Sequence, residues 1–331
     1  MTKVTMKDIA NLAGVSKTTV SMVLNKKNIN VSETTKNKIL KIAEELNYIP
    51  NNVARSLSTN KSETIGIIIP DITNPFFSEI ARAIEDTASK LNYNVIFCNT
   101  DNDNEKEKKY VKLLISKLVD GVIFITGSGN DESLDILDNN NIPLVLVDRD
   151  IEKKKNYCGV YTLNEQGVID GVNYLLRKGK KKIAFVTGAK ELRISRQRIE
   201  GYKKIMLENN IYDEGLIFES DFTIEGGMQS TEKIINSRND IQAIFYSNDI
   251  MAFGGIKVLI RKGYNIPEDI SIIGFDNIKI SDFMEPELTT IGQPIYEIGK
   301  IACELLVNVI NKKVYNRQIY LKTKLIIRGT T

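Results

Sequence analysis

From Thr64 onward the chain alternates two kinds of segment, and this alternation constrains the fold more than any other feature of its 331 residues. The runs TIGIIIPD, NVIFCNT, DGVIFIT, PLVLVDR, KIAFVTG, LIFES, AIFYSND and ISIIGFD are short, apolar and β-rich. Between them lie stretches such as FFSEIARAIEDTASKL and EQGVIDGVNYLLRKG, whose apolar residues recur at helical spacing. Each apolar run reads as a buried parallel strand, and strand-helix alternation predicts doubly wound parallel sheets of the α/β class. Such sheets bind ligands beyond the carboxyl ends of their strands. Several runs end in polar residues: Asp71 and Asn74, Asp148 and Arg149, Asn248 and Asp249, Asp276 and Asn277. Capping and turn-making explain any one of these without a ligand. In combination, carboxylates, an arginine, amides and aromatic faces suit a sugar. Each hydroxyl is both donor and acceptor, while the C–H face of the ring prefers an aromatic plane.

The first 60 residues have a different character. Nine Lys and Arg against four acids give them a charge of +5, leaving −2 for the rest of a chain whose total is +3. That asymmetry suggests a polyanion partner for this segment, although a solvated basic face gives the same count. Thr5 followed by Asp8 makes a capping-box-like helix start, with Ile9, Ala10 and Ala13 along one face. Gly14 supplies a tight turn, and Ser16 can cap a second helix that points Val20, Val23 and Leu24 inward and leaves Lys17, Thr18, Ser21 and Met22 outward. Ser32 can cap a third, with Ile39, Ile42, Ala43 and Leu46 at helical spacing. Periodicity alone allows a generic three-helix bundle; the glycine turn between the first two helices suits a helix-turn-helix, whose second helix enters the major groove. The stretch PNNVARSLSTNKS, Pro50 to Ser62, then joins two compositions. It is short and polar, and its proline fits a helical turn or a linker equally well.

With 42% hydrophobic and 26% charged residues, the chain can bury substantial cores in two or three units. It has no histidine, which excludes His-based metal sites, Ser/His triads and imidazole switches. Cys98, Cys158 and Cys303 are isolated and lack metal spacing, as expected of a reduced cytoplasmic chain. No cationic leader or membrane-length apolar run is read, and neither a cofactor nor a metal is expected.

The runs VTMKDIANLAGVSKTTVSMVLN and VSETTKNKILKIAEELNYIPNNVARSL resemble the headpiece of LacI-type transcription regulators. The resemblance implies that Lys17, Thr18, Ser21 and Met22 approach base edges, while Thr5, Ser16, Thr19 and Asn25 lie where the family contacts phosphates. Most relatives carry Arg where this chain has Met22. Arg reads guanine bidentately, whereas Met offers apolar contact such as a thymine methyl accepts. The resemblance also implies that the segment matching Asn51 to Ser58 becomes a hinge helix on the operator. There Leu57 wedges into the minor groove, with Ala54 at the close backbone approach and Arg55 beside phosphates.

Residues 64–327 resemble the periplasmic sugar-binding proteins, within which the pattern looks most like ribose binding. The implied ligand set is Asn74, Phe76 and Phe77 from an NPFF loop, the pair Asp148 and Arg149, Arg198 of an R-x-x-G motif, Phe222, Asn248, Asp276 and Gln293. The implied organisation is a headpiece at 1–49, a hinge at 50–62 and a sensor at 63–331. Within the sensor, one subdomain takes about 63–161 and 292–322, and the other about 162–291 and 323–331. A helix beginning near Phe77 or Ser78 would lie against its counterpart in a homodimer, the state that two half-sites require. Together these features read as a regulator, most often a repressor in this family, that binds double-stranded operator DNA and responds to a small ribose-like sugar. Three alternatives stand beside it. The same scaffold could answer to a phosphoprotein or another sugar or nucleoside. A transport component is opposed by the headpiece. An enzyme using Asp148 and Asp276 as acid and base is opposed by the arginine beside Asp148, which would lower the pKa that a general acid needs raised.

Overall fold

The computed structural model describes residues 4–25, 31–49, 61–125, 132–148, 157–313 and 317–331. It divides into two compact units, Met1–Ser62 and Glu63–Thr331.

In the first unit, helices α1 (Met6–Ala13), α2 (Lys17–Leu24) and α3 (Glu33–Glu45) surround a small core of Ile9, Ala10, Ala13, Val20, Val23, Ile39 and Ala43. Each start is fixed locally. The Thr5 backbone N–H and hydroxyl both donate to Asp8 Oδ2 at 2.8 Å, which holds the Asp8 carboxyl below its usual range. Ser16 and Ser32 accept from the backbone N–H of Thr19 at 3.0 Å and of Thr35 at 3.3 Å. Gly14 ends α1 at φ 73°, a left-handed conformation that glycine adopts without a Cβ penalty.

The second unit holds two sheets of the same plan. The first comprises β1 (Thr64–Ile69), β2 (Asn94–Asn99), β3 (Gly121–Phe124), β4 (Leu144–Val147), β5 (Cys158–Thr162) and β11 (Gln318–Leu321), in the order β11-β5-β4-β3-β1-β2. The second comprises β6 (Ile183–Thr187), β7 (Ile217–Glu219), β8 (Ala243–Tyr246), β9 (Ser271–Asp276), β10 (Thr290–Gly292) and β12 (Lys324–Ile326), in the order β12-β10-β9-β8-β6-β7. Helices cover the faces. The ones that matter below are α4 (Pro75–Lys90), α5 (Asn104–Ser116), α6 (Glu132–Asn139), α7 (Asn164–Arg177), α8 (Arg193–Glu208), α9 (Ile224–Ser237), α10 (Asp249–Arg261) and α11 (Ile295–Ile310). The chain passes between the sheets after β5, after β10 and between β11 and β12. Because α11 returns to the first sheet, it packs tightly on α4: a Cβ at Gly299 would meet the Ile80 carbonyl oxygen at 2.5 Å.

All eight apolar runs form strands that pair parallel, as expected, but one expectation needs correction. The strands β2 and β7 are not buried on both faces; they are sheet edges, with one side open to solvent. Beyond those runs, β12 lies antiparallel to β10. The reason is geometric. The carboxyl ends of both sheets face a common cleft, and β11, parallel to β5, runs toward it. Only Lys322 and Thr323 separate β11 from β12, so the chain crosses without turning and enters the second sheet against its strand direction. Of the four strands outside those eight runs, β12 is the C-terminal strand expected in the second subdomain, while β5, β10 and β11, absent from the sequence reading, are short or lie toward one edge. Helix α4 begins at Pro75, one turn's fraction earlier than Phe77 or Ser78, because Asn74 caps it and proline suits its first position.

Candidate functional site

The outward face of α2 is built by the residues that face inward. With Val20 and Val23 buried, Lys17, Thr18 and Met22 are exposed and Ser21 is partly so. Asn25 closes the helix, its Nδ2 donating to the Ser21 carbonyl at 2.8 Å. Thr5 stands exposed at the start of α1, while Ser16 and Thr19 join hydroxyls at 2.9 Å at the start of α2. The outward residues of α2 therefore offer one cation, two hydroxyls and a thioether, with no acid in the first turn. Ala54, Arg55 and Leu57 lie outside the described residues.

In the second unit a cavity of about 430 Å³ opens between the two sheets. Asn74, Phe76, Phe77, Asp148, Arg198, Phe222, Asn248 and Asp276 all line it, although they are spread from position 74 to position 276 of the sequence. Arg149 lies outside the described residues. Gln293 is not part of the wall. It stands behind Asp276, donating through Nε2 to Asp276 Oδ1 at 2.7 Å and accepting from the Thr162 hydroxyl at 2.7 Å, so it ties the ends of β9 and β5 together. The wall also contains Asp71, Asn102, Glu191, Leu192, Asp221 and Thr223, among others, which were not named as ligand residues. Asp71 was visible as a polar strand end. The others sit on loops whose approach to the cleft follows from topology rather than from any local pattern.

Helix starts shape the rim. Asn74 Oδ1 accepts from the Phe76 N–H at 3.0 Å, Asn248 Oδ1 from Met251 N–H at 2.8 Å, and the Thr223 hydroxyl from Gly226 N–H at 2.9 Å. Three helix N-termini, with their positive ends, therefore meet the carboxylates of the wall. The Asn248 amide also donates to the Phe222 carbonyl at 3.0 Å, which fixes that aromatic wall. Phe76 and Phe77 lie edge to face, 5.3 Å between ring centres.

Arg198 is the electrostatic centre. It is 2% exposed, its Nε donates to Asn164 Oδ1 at 2.9 Å, its Nη1 donates to the Ser247 carbonyl, and its guanidinium stacks on Phe275 at 3.8 Å. Burial lowers its pKa, while the charges of Asp276, Asp148 and Asp249 oppose that shift. Burial likewise pushes the Asp276 carboxyl well above the usual range, and Arg198 pulls it back. Asp249, just beyond the wall, is pushed up to about 6 by burial, against hydrogen bonds from Thr290 and Ser281. A planar guanidinium with carboxylates and amides around it can satisfy several hydroxyls of one small polyol at once. Among the described residues, no group of three or more His, Cys, Asp or Glu could hold a metal ion, and no helix is long and apolar enough to cross a membrane.

Comparison with known proteins agrees with this geometry. Residues 5–51 match the family model described as bacterial regulatory proteins, lacI family, and residues 172–331 match a periplasmic binding protein-like domain. The chain is 40% identical to the ribose operon repressor of Halalkalibacterium halodurans over 99% of this chain and 97% of that one. It is 39% identical to catabolite control protein A of Priestia megaterium, over 96% and 95%. The repressor PurR of Vibrio atlanticus is 38% identical, over 96% and 95%. Among solved structures, the lac repressor dimer bound to operator and the anti-inducer ONPF superimposes with a TM-score of 0.90 at 28% identity, over 99% of each chain. A LacI family regulator from Enterococcus faecium with bound ribose gives 0.74 at 32%, over 81% of this chain and 98% of that one. These relatives are regulators rather than enzymes. A helix-turn-helix unit and a two-sheet ligand unit, matched over nearly the full length of such relatives, place the chain in the LacI family of DNA-binding transcription regulators.

Proposed function

We propose that the protein is a repressor whose affinity for its operator is set by a small sugar, with D-ribose or a related pentose first in order. The carrying observation is the convergence, in one cavity, of Asn74, Phe76, Phe77, Asp148, Arg198, Phe222, Asn248 and Asp276. The lining supports a polyol: Asp71, Asp148, Glu191, Asp221 and Asp276 offer acceptors to its hydroxyls and Arg198 offers donors. Similarity to a ribose operon repressor and to a ribose-bound family member points the same way.

In this reading residues 1–49 read the operator through Lys17, Thr18, Ser21 and Met22, with Thr5, Ser16, Thr19 and Asn25 on phosphates. Residues 50–62 are the hinge, with Ala54, Arg55 and Leu57 at the minor groove. Residues 63–331 sense the sugar and form the homodimer, in a cytoplasmic protein. A ligand that touches both halves of the sensor shifts its conformation only as far as it binds one arrangement more tightly, and the coupling to DNA is reciprocal. The similarity to catabolite control protein A supports a second reading, in which a phosphoprotein co-regulator sets operator affinity on the same scaffold.

The test is to select the operator from random DNA, then follow its binding by fluorescence anisotropy with and without ribose at several salt concentrations. Sequence preference, a steep salt slope and a ribose-dependent shift support the proposal. A shift produced only by another sugar, a nucleoside or a phosphoprotein would replace the effector, and absence of sequence preference would overturn the operator reading. Leu57→Ala should weaken specific DNA binding while sparing ribose binding; equal loss of both would make that residue a holder of the fold.

A further inference from the structure

The segment that follows β9 is held in an unfavourable conformation. Asp276 has φ 122° and Asn277 φ 60°, two consecutive residues without glycine's freedom on the positive side. Such strain persists only where the surroundings over-determine it. Here the anchors are visible. Asp249, fully buried at the first position of α10, accepts at Oδ2 from the Ile278 backbone N–H at 3.0 Å and from the Ser281 hydroxyl at 2.7 Å. Its Oδ1 accepts from the Thr290 hydroxyl at 2.6 Å. The approach needs a glycine opposite, since a Cβ at Gly274 would meet Asp249 Oδ1 at 2.3 Å. Arg328 Nη2 donates to Asn277 Oδ1 at 2.8 Å from the other side.

What this segment touches gives the strain a use. Asp276 lines the sugar cavity. Two residues on, Ile278 is 1% exposed and belongs to the hydrophobic cluster built mainly by the first half, which includes Phe76, Phe77 and Ile80 of α4 and against which Ile250 and Phe253 of α10 also pack. Lys279 then faces the partly buried Glu79 of α4 through its backbone N–H and its charge. One short turn thus joins a ligand residue of the second half to the helix that carries the aromatic wall of the first.

We propose that Asp249 is a positioning residue for the sugar site: by holding the Asn277–Ser281 backbone it aims Asp276 into the cavity and seats Ile278 in the first half. Sugar bound at Asp276 then acts on the junction of the halves through Ile278. This rests on the sugar-binding reading above.

The first test needs no sugar. In the full-length protein, hydrogen exchange at the Ile278 amide should be at least tenfold faster in Asp249→Asn than in wild type, with β8 amides unchanged. Unaltered protection at Ile278, or a uniform rise through the second half, overturns the proposal. Should that variant fail to fold, Ser281→Ala removes one of the three side-chain and backbone donors and should give a smaller local rise of about threefold. The second test is a ribose titration in a double-mutant cycle. Asp249→Asn should weaken ribose at least tenfold in wild type but less than twofold in the Asp276→Asn background, because it acts through Asp276. Equal losses in both backgrounds mean a purely structural role and overturn it. Third, Ile278→Ala should keep ribose affinity within about threefold yet abolish the ribose effect on operator binding; a retained effect overturns the transmission through Ile278. If wild type binds no ribose while the exchange result holds, the effector assignment fails and the anchoring by Asp249 stands.

Discussion

The two halves of the ligand unit share one strand order and differ in what each places at the cleft. Both end their fourth strand in a buried aspartate with positive φ, Asp148 at 62° and Asp276 at 122°, and both cap a helix with an asparagine at the rim, Asn74 and Asn248. The first half adds the paired rings of Phe76 and Phe77; the second adds the guanidinium of Arg198 on Phe275. Acid and aromatic face are therefore present in both halves, since Phe222 stands in the second, while among the described lining residues the cation belongs to the second half. A ligand that touches Phe76, Phe77 and Asp148 as well as Arg198 and Asp276 spans both halves, which is the condition under which binding and closure are linked.

The largest way to break this division is Arg198→Ala. It removes from the buried Asp276 the guanidinium charge that opposes the effect of burial, and ribose affinity should fall about a thousandfold, roughly 4 kcal/mol. Calorimetric titration measures it, and operator binding without sugar should persist. Next, Ile67→Ala and Ile273→Ala open cavities in the first and second cores respectively, both at fully buried positions. Each should cost about 3 kcal/mol, and thermal unfolding of the ligand unit should remain one transition. Two transitions would show that the halves are energetically separate despite three chain crossings.

The pH dependence should be asymmetric as well. The Asp249 carboxyl is raised from 3.8 to about 6 in the folded protein, with Asp276 and Arg198 as its charged neighbours. An acid with a raised folded pKa binds more protons in the native state, so its contribution falls as pH rises through that window. Lowering the pH from 7 to 5 should therefore stabilise the second half by about 1 kcal/mol through Asp249 alone. Asp276 adds to it, and Asp249→Asn should remove the Asp249 share in urea unfolding. Smallest are the paired caps: Asn74→Ala and Asn248→Ala should each cost up to about 1 kcal/mol. The second should cost more, because it also frees the Phe222 carbonyl; equal costs would mean the caps alone matter.

Much of this was legible in the chain because it is written in local patterns. Eight apolar runs announce eight strands, and Ser16 and Ser32 announce helix starts through chemistry confined to three residues. Strand β10 spans only Thr290–Gly292, and β5 carries a glycine and a polar end, so neither gives a run long enough to read. Direction was hidden too: nothing in Lys324–Ile326 says that it opposes β10, because that follows from a two-residue crossing. At the site, side chains with distinctive chemistry such as Arg198 and Asp276 stood out. Gln293 was legible as polar but not as a residue behind Asp276. Asp249 shows the limit best, since its neighbours Ser281 and Thr290 lie more than thirty residues away and only folding brings them to its carboxylate.

The late strands carry a consequence for synthesis. Each sheet is completed by a strand from the end of the chain, β11 for the first and β12 for the second, and Thr330 then bonds back to Ile272 and Thr289. Until residues 318–331 have been synthesised, neither half has its full complement of partners. The three-helix unit depends only on contacts among residues 4–49 and can settle as soon as it emerges. A nascent chain therefore holds all the contacts of its three-helix core before it holds those of either completed sheet.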